Sequence, residues 1–116
     1  MVKTQLGLEE NLEGALCYLF GFITGIVFYV MEPKNKFVRF HAMQSIVIFL
    51  PLMILGFILS SIGWFIFLGP VWIIISLLTW ITWILFFVLW LILMLKAYSG
   101  KKFKVPIAGD IAEKNS

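Results

Sequence analysis

Apolar positions in this chain run in long unbroken blocks instead of recurring at helical or alternating intervals. From Ala42 to Leu95 there are 54 residues without an Asp, Glu, Lys or Arg. A shorter uncharged block, Gly14 to Met31, covers 18 residues, just enough for a helix to cross about 30 Å of hydrocarbon. The long block as one helix would reach about 80 Å, so it divides into two spans and a connector. The break falls at Gly63–Pro70, where Gly63, Gly69 and Pro70 interrupt the pattern and Trp64 and Trp72 stand as interfacial aromatics. The pattern predicts spans over residues 14–31, 42–62 and 71–95, a polar lead-in before them and a tail over 96–116. Glu32-Pro33-Lys34-Asn35-Lys36 reads as a turn, with Pro33 ending one helix and Asn35 capping the next. Pro51 lies inside the second span, as membrane helices tolerate.

Composition agrees with the pattern. Of 116 residues, 62% are hydrophobic and 13% charged, and mean hydropathy is +1.05. A soluble domain carries about a quarter charged residues, and a chain this short has too much surface to hide such blocks from water. The first block is not a signal peptide, because Glu9, Glu10 and Glu13 precede it and no small-residue cleavage site ends it. The fold class is all-α: a polytopic membrane protein built as a bundle of three transmembrane helices in a single domain.

Charge sets the expected orientation. The first loop holds Lys34, Lys36 and Arg39, and the tail holds Lys96, Lys101, Lys102, Lys104 and Lys114. With three spans, these eight of the nine basic residues share one side, which is therefore cytoplasmic. The N-terminus and Gly63–Pro70 then face outward across the cell membrane. The tail mixes lysines with apolar residues and suits the inner leaflet, where each lysine gains about 1 kcal/mol from anionic lipid.

The spans carry no charged side chain, which argues against a proton-coupled pump. Gly14, Gly21 and Gly25 lie near one stripe of the first span, and Gly56 and Ser60 repeat the small-x-x-x-small spacing in the second. Such residues let helix backbones approach closely. Trp80, Trp83, Phe87 and Trp90 fall on one face of the third. At the entry to the second span, Arg39, Phe40, His41, Gln44 and Ser45 are the candidate interaction residues. One turn separates His41 from Gln44 and Ser45, so these three share a face, while Arg39 reaches the head groups. A single histidine without a nearby carboxylate gives no catalytic set, and one lone Cys17 leaves no metal-ligand spacing. No enzyme activity, cofactor or metal is expected. Nucleic acid is not expected as a partner, since the basic residues are few and lie beside the membrane.

The residues Glu10-Asn11, Ala15-Leu16-Cys17-Tyr18-Leu19, Gly21, Gly25, Phe37-Val38-Arg39-Phe40-His41-Ala42-Met43-Gln44-Ser45 and Val105-Pro106-Ile107-Ala108-Gly109-Asp110-Ile111-Ala112 carry a resemblance across nearly the whole chain. The chain resembles the small uncharacterised prokaryotic integral membrane proteins grouped with the twenty-kilodalton component of the chloroplast inner-envelope protein-import translocon. The resemblance implies a non-catalytic subunit or scaffold of a membrane protein assembly linked to protein translocation, with lipids, other membrane proteins or further copies of itself as partners. A homo-oligomeric channel or transporter, lined by Gln44, Ser45, Ser76 and Thr79, is the alternative.

Overall fold

The computed structural model describes residues 3–4, 6–65 and 69–116. Five helices follow one another: α1 Glu10–Leu16, α2 Phe22–Met31, α3 Lys36–Phe65, α4 Gly69–Tyr98 and α5 Ala108–Lys114. The all-helical class is as the sequence implies. The long uncharged block forms α3 and α4, two helices of 30 residues each and about 45 Å long. Both are long and apolar enough to cross a membrane.

These two helices pack antiparallel as a hairpin. Gly56 of α3 faces Trp83 of α4, Phe49 faces Phe86, and Gly63 faces Ile75. Asn35 caps α3, its Oδ1 accepting from the Val38 N–H at 3.0 Å. The helix runs on through Pro51. Pro70 stands in the first turn of α4, where its missing N–H leaves no partner unpaired. Of the expected connector Gly63–Pro70, residues 66–68 lie outside the described residues.

The first expected span is corrected. Residues 14–31 do not form one helix. The chain makes a turn over Cys17–Gly21, and Gly21 takes φ +63°, a left-handed conformation that a glycine adopts at little cost. The chain then doubles back. α1 runs alongside α3 in the same direction: Gly14 lies against Phe37 and His41, and Gly21 lies against Phe49. α2 returns antiparallel to α3, with Gly25 beside Ala42 and Ser45 and Tyr29 beside Arg39. At ten residues α2 is about 15 Å long, half of what a bilayer crossing needs.

The reversal also corrects the placement of the lead-in. Leu6, Glu10 and the first loop meet at one end of the molecule. Asn35 Nδ2 donates to Glu10 Oε2 at 3.2 Å, and the Leu6 N–H donates to Glu32 Oε1 at 3.0 Å. An uninterrupted helix over 14–31 would hold these groups about 27 Å apart. The tail reaches the same end, where Tyr29 donates its hydroxyl hydrogen to the Asn115 carbonyl at 2.8 Å.

The molecule is thus an elongated rod, 55 × 22 × 22 Å. One end is a compact head of α1, α2, α5 and the adjoining halves of α3 and α4, with Tyr18, Phe40, Phe49, Leu93 and Ala97 buried. The other end is the bare α3–α4 pair, and Phe57, Trp64, Phe65 and Trp80 are exposed along it.

Candidate functional site

The head is organised around a buried polar node. His41 and Gln44 lie one helical turn apart on α3 and face the Cys17–Gly21 turn on one side and the tail on the other. The Tyr18 hydroxyl is 2.7 Å from His41 Nδ1, and Gln44 Nε2 donates to the same hydroxyl at 3.0 Å. His41 Nε2 lies 3.1 Å from the Lys101 carbonyl. A carbonyl only accepts, so Nε2 carries the proton and Nδ1 accepts from Tyr18. Gln44 gives its second N–H to the Phe103 carbonyl at 2.9 Å, and its Oε1 accepts from the Val105 N–H at 3.1 Å. Tyr18, His41 and Gln44 are fully buried, and every donor and acceptor in the set has a partner.

This arrangement is held by packing as well as by hydrogen bonds. The Tyr18 ring meets His41 and Phe49 edge to face, and Phe37 and Phe40 flank the imidazole. Gly109 of α5 fits where a Cβ would stand 2.5 Å from Lys104 Cβ and 3.1 Å from Gln44 Oε1. The Val105–Ala112 stretch therefore docks on α3.

The five candidate interaction residues separate into two groups. Phe40, His41, Gln44 and Ser45 are buried. Ser45 donates to the Gly21 carbonyl at 2.6 Å, so it closes the α1–α2 turn. Arg39 points the other way, toward α2: its guanidinium lies 4.0 Å over the Tyr29 ring, and Nη1 donates to the Tyr29 carbonyl at 3.1 Å. The glycines do not form one stripe, since Gly14, Gly21 and Gly25 meet different partners. A Cβ on Gly25 would stand 2.7 Å from Ser45 Oγ, and one on Gly56 would stand 2.5 Å from the Trp83 ring. Ser60 lies in a groove of about 420 Å³ between the bare halves of α3 and α4, with Gly63, Trp64, Trp72, Ser76 and Trp80.

A second polar group closes the mouth of the α1–α2 wedge. Glu13 and Glu32 are both fully buried, Thr4 donates its hydroxyl hydrogen to Glu13, and the Leu6 N–H donates to Glu32. Burial, with the neighbouring Glu32 adding to it against the Thr4 hydrogen bond, pushes the Glu13 carboxyl up to about 7. Sequence reasoning did not single out Tyr18, Glu13 or Glu32. The available signal was that carboxylates bracket the Gly14–Met31 block at both ends. Among the described residues, no three His, Cys, Asp or Glu side chains gather as a metal site.

Residues 9–112 match the family described as the magnetosome magnetite crystal formation protein family. The chain is 51% identical to a UPF0132 membrane protein of Methanocaldococcus jannaschii, over all of this chain and 96% of that one. A second UPF0132 membrane protein of the same organism is 42% identical over 94% of this chain and 71% of its own length. One from Archaeoglobus fulgidus is 44% identical over 91% of this chain and 94% of its own. No solved structure matches.

Proposed function

The chain belongs to the magnetosome magnetite crystal formation protein family, whose curated relatives here are named as membrane proteins, and from that premise we propose that it is a non-catalytic membrane subunit that docks other membrane proteins through its bare hairpin. The observation that carries this reading is the contrast between the two halves of the rod. The head spends its polar groups on its own chain, whereas the outer half of α3–α4 leaves Trp64, Phe65 and Trp80 exposed.

In this reading α3 and α4 cross the membrane, and α1–α2 is a re-entrant wedge. The Cys17–Gly21 turn reaches the level of Phe49, seven residues past Ala42, or about 10 Å into one leaflet. Glycine and the hydrogen bonds to Ser45 and Trp90 make that break tolerable at depth, because irregular backbone survives there only when buried in protein. All nine Lys and Arg residues then lie at the head, which supports a cytoplasmic head.

The resemblance over Phe37–Ser45 supports a finer form, in which the docked neighbours belong to a protein-translocation assembly. The channel reading fares less well on geometry. Gln44 and Ser45, half of its polar lining, are enclosed between the α1–α2 turn and the tail.

Photocrosslinking in intact cells tests the proposal, with the probe at Trp80 and Phe87 on the hairpin and at Lys114 on the head. A recurring heterologous membrane protein captured from Trp80 or Phe87 supports the subunit reading. Only lipid adducts from both hairpin positions would overturn it, and only self-crosslinks would replace it with a homo-oligomer.

A further inference from the structure

Unused hydrogen-bonding groups gather at one groove near the outer end of the α3–α4 hairpin. These helices carry six Ser and Thr hydroxyls. Ser61, Thr79 and Thr82 donate to the carbonyl four residues earlier, and Ser45 donates to the Gly21 carbonyl. Ser60 and Ser76 have no hydrogen-bond partner among the described residues, and both line the groove of about 420 Å³.

The five tryptophans divide in the same way. Trp83 packs on Phe57 and Phe86, Trp90 packs on Phe87, and Trp90 also gives its indole N–H to the Leu19 carbonyl. Trp64, Trp72 and Trp80 have neither a ring partner nor an indole hydrogen bond among the described residues, and these three wall the groove. Gly63 opens its floor, since a Cβ there would meet only Ile75 at 3.8 Å.

The groove thus presents two hydroxyls, three indole N–H groups and no charge. No Asp, Glu, Lys or Arg occurs between Ala42 and Leu95. A phosphate or carboxylate head would stand there without a counter-ion, at high cost in hydrocarbon. A neutral head with acceptor oxygens matches the donors. A flat head also matches the free ring faces. A helix of a neighbouring protein matches them less well, because its carbonyls are already spent within itself.

We propose that the groove binds an uncharged amphiphile with a flat, carbonyl-bearing head of the quinone type and an apolar tail, Ser60 and Ser76 donating to the head and the indoles enclosing it. This rests on the reading of α3–α4 as a membrane-crossing hairpin. In that setting Trp64 and Trp72 stand at the interface, and Ser60 and Ser76 each lie four residues, or about 6 Å, further in. Trp80 is one turn deeper again, where the tail leaves. A pocket of this size is ordinary for a small ligand. Phe57, Ile58 and Phe65, on the other flank of α3, stay open to a protein neighbour.

The test titrates the full chain in lipid nanodiscs with a decyl-tailed benzoquinone and reads tryptophan fluorescence. Quenching is expected to saturate, unlike the linear collisional quenching of a single-span tryptophan peptide in the same nanodiscs. Decylbenzene, which lacks the carbonyls, and decyl phosphate, which carries charge, should not displace the quinone. Ser60→Ala combined with Ser76→Ala should weaken binding roughly tenfold at unchanged helicity, a few-fold for each lost hydrogen bond. Gly63→Leu, which fills the floor, should abolish saturation. Linear quenching of the unsubstituted protein, displacement by decylbenzene or decyl phosphate, or a folded double-alanine variant that binds as before overturns the proposal. External maleimide labelling of Phe65→Cys separates the two readings. Linear quenching with that label present removes the ligand site alone, and absence of the label removes the spanning hairpin with it.

Discussion

The Tyr18 hydroxyl and His41 Nδ1 lie 2.7 Å apart, and this contact ties the turn of the wedge to the entry of α3. Its value is greatest because the site is dry. Tyr18→Phe removes the hydroxyl and leaves His41 Nδ1 and one Gln44 N–H unpaired in a buried place. A loss of about 1–2 kcal/mol in stability is expected, read from thermal or denaturant unfolding in detergent micelles. Unfolding identical to the unsubstituted protein would mean that the hydroxyl is solvated elsewhere.

Gln44 is the clasp of the tail. It accepts from Val105 and donates to Phe103, so Gln44→Leu keeps the volume and removes both links. The segment Lys101–Lys104 should then become a trypsin site at protease concentrations that spare the unsubstituted chain. Helicity is expected to stay unchanged, since α3 and α4 do not depend on the tail.

Two glycines that face neighbouring helices should differ sharply. Gly25→Ala would bring a Cβ to 2.7 Å from Ser45 Oγ and 2.9 Å from the Ala42 carbonyl. Backbone cannot yield as a side chain does, so about 1–3 kcal/mol of destabilisation is expected. Gly63→Ala meets only Ile75 at 3.8 Å. It should be neutral or stabilising by up to about 1 kcal/mol, as alanine favours a helix interior. A chemical melt of the two variants side by side checks the contrast.

The hairpin was legible because charge is absent from 54 residues and glycine and proline cluster near the middle. The cap at Asn35 was legible for the same local reason. The wedge was not. Hydropathy averages over Cys17–Gly21 without a dip, and Gly21 followed by Gly25 reads equally as a helix-packing pair or as a left-handed break. Only the partners decide. Ser45 takes the freed Gly21 carbonyl, and Trp90 takes that of Leu19 at 3.2 Å. These contacts span 24 and 71 residues, beyond any local pattern. The same limit hid the node. His41, Gln44 and Ser45 were visible as a polar face, but apart from the Tyr18 hydroxyl their partners are backbone groups of the tail and turn, which no residue type announces. The aromatic face of α4 was partly legible. Trp80 and Phe87 are exposed as a face toward lipid or a partner would be, while Trp83 packs on Gly56 and Trp90 turns to Leu19.

The central claim is that the chain enters and leaves the membrane on one side before the hairpin begins. Substituted-cysteine labelling measures this most directly, in a Cys17→Ala background, with a membrane-impermeant maleimide applied to intact cells and to inverted vesicles. Single cysteines replace Lys3, Asn35, Phe65 and Lys101. The re-entrant wedge requires Lys3→Cys, Asn35→Cys and Lys101→Cys to label together from the cytoplasmic side, with Phe65→Cys alone labelling from outside. Labelling of Lys3→Cys from the outside, with Asn35→Cys still cytoplasmic, would contradict it and restore a continuous first span.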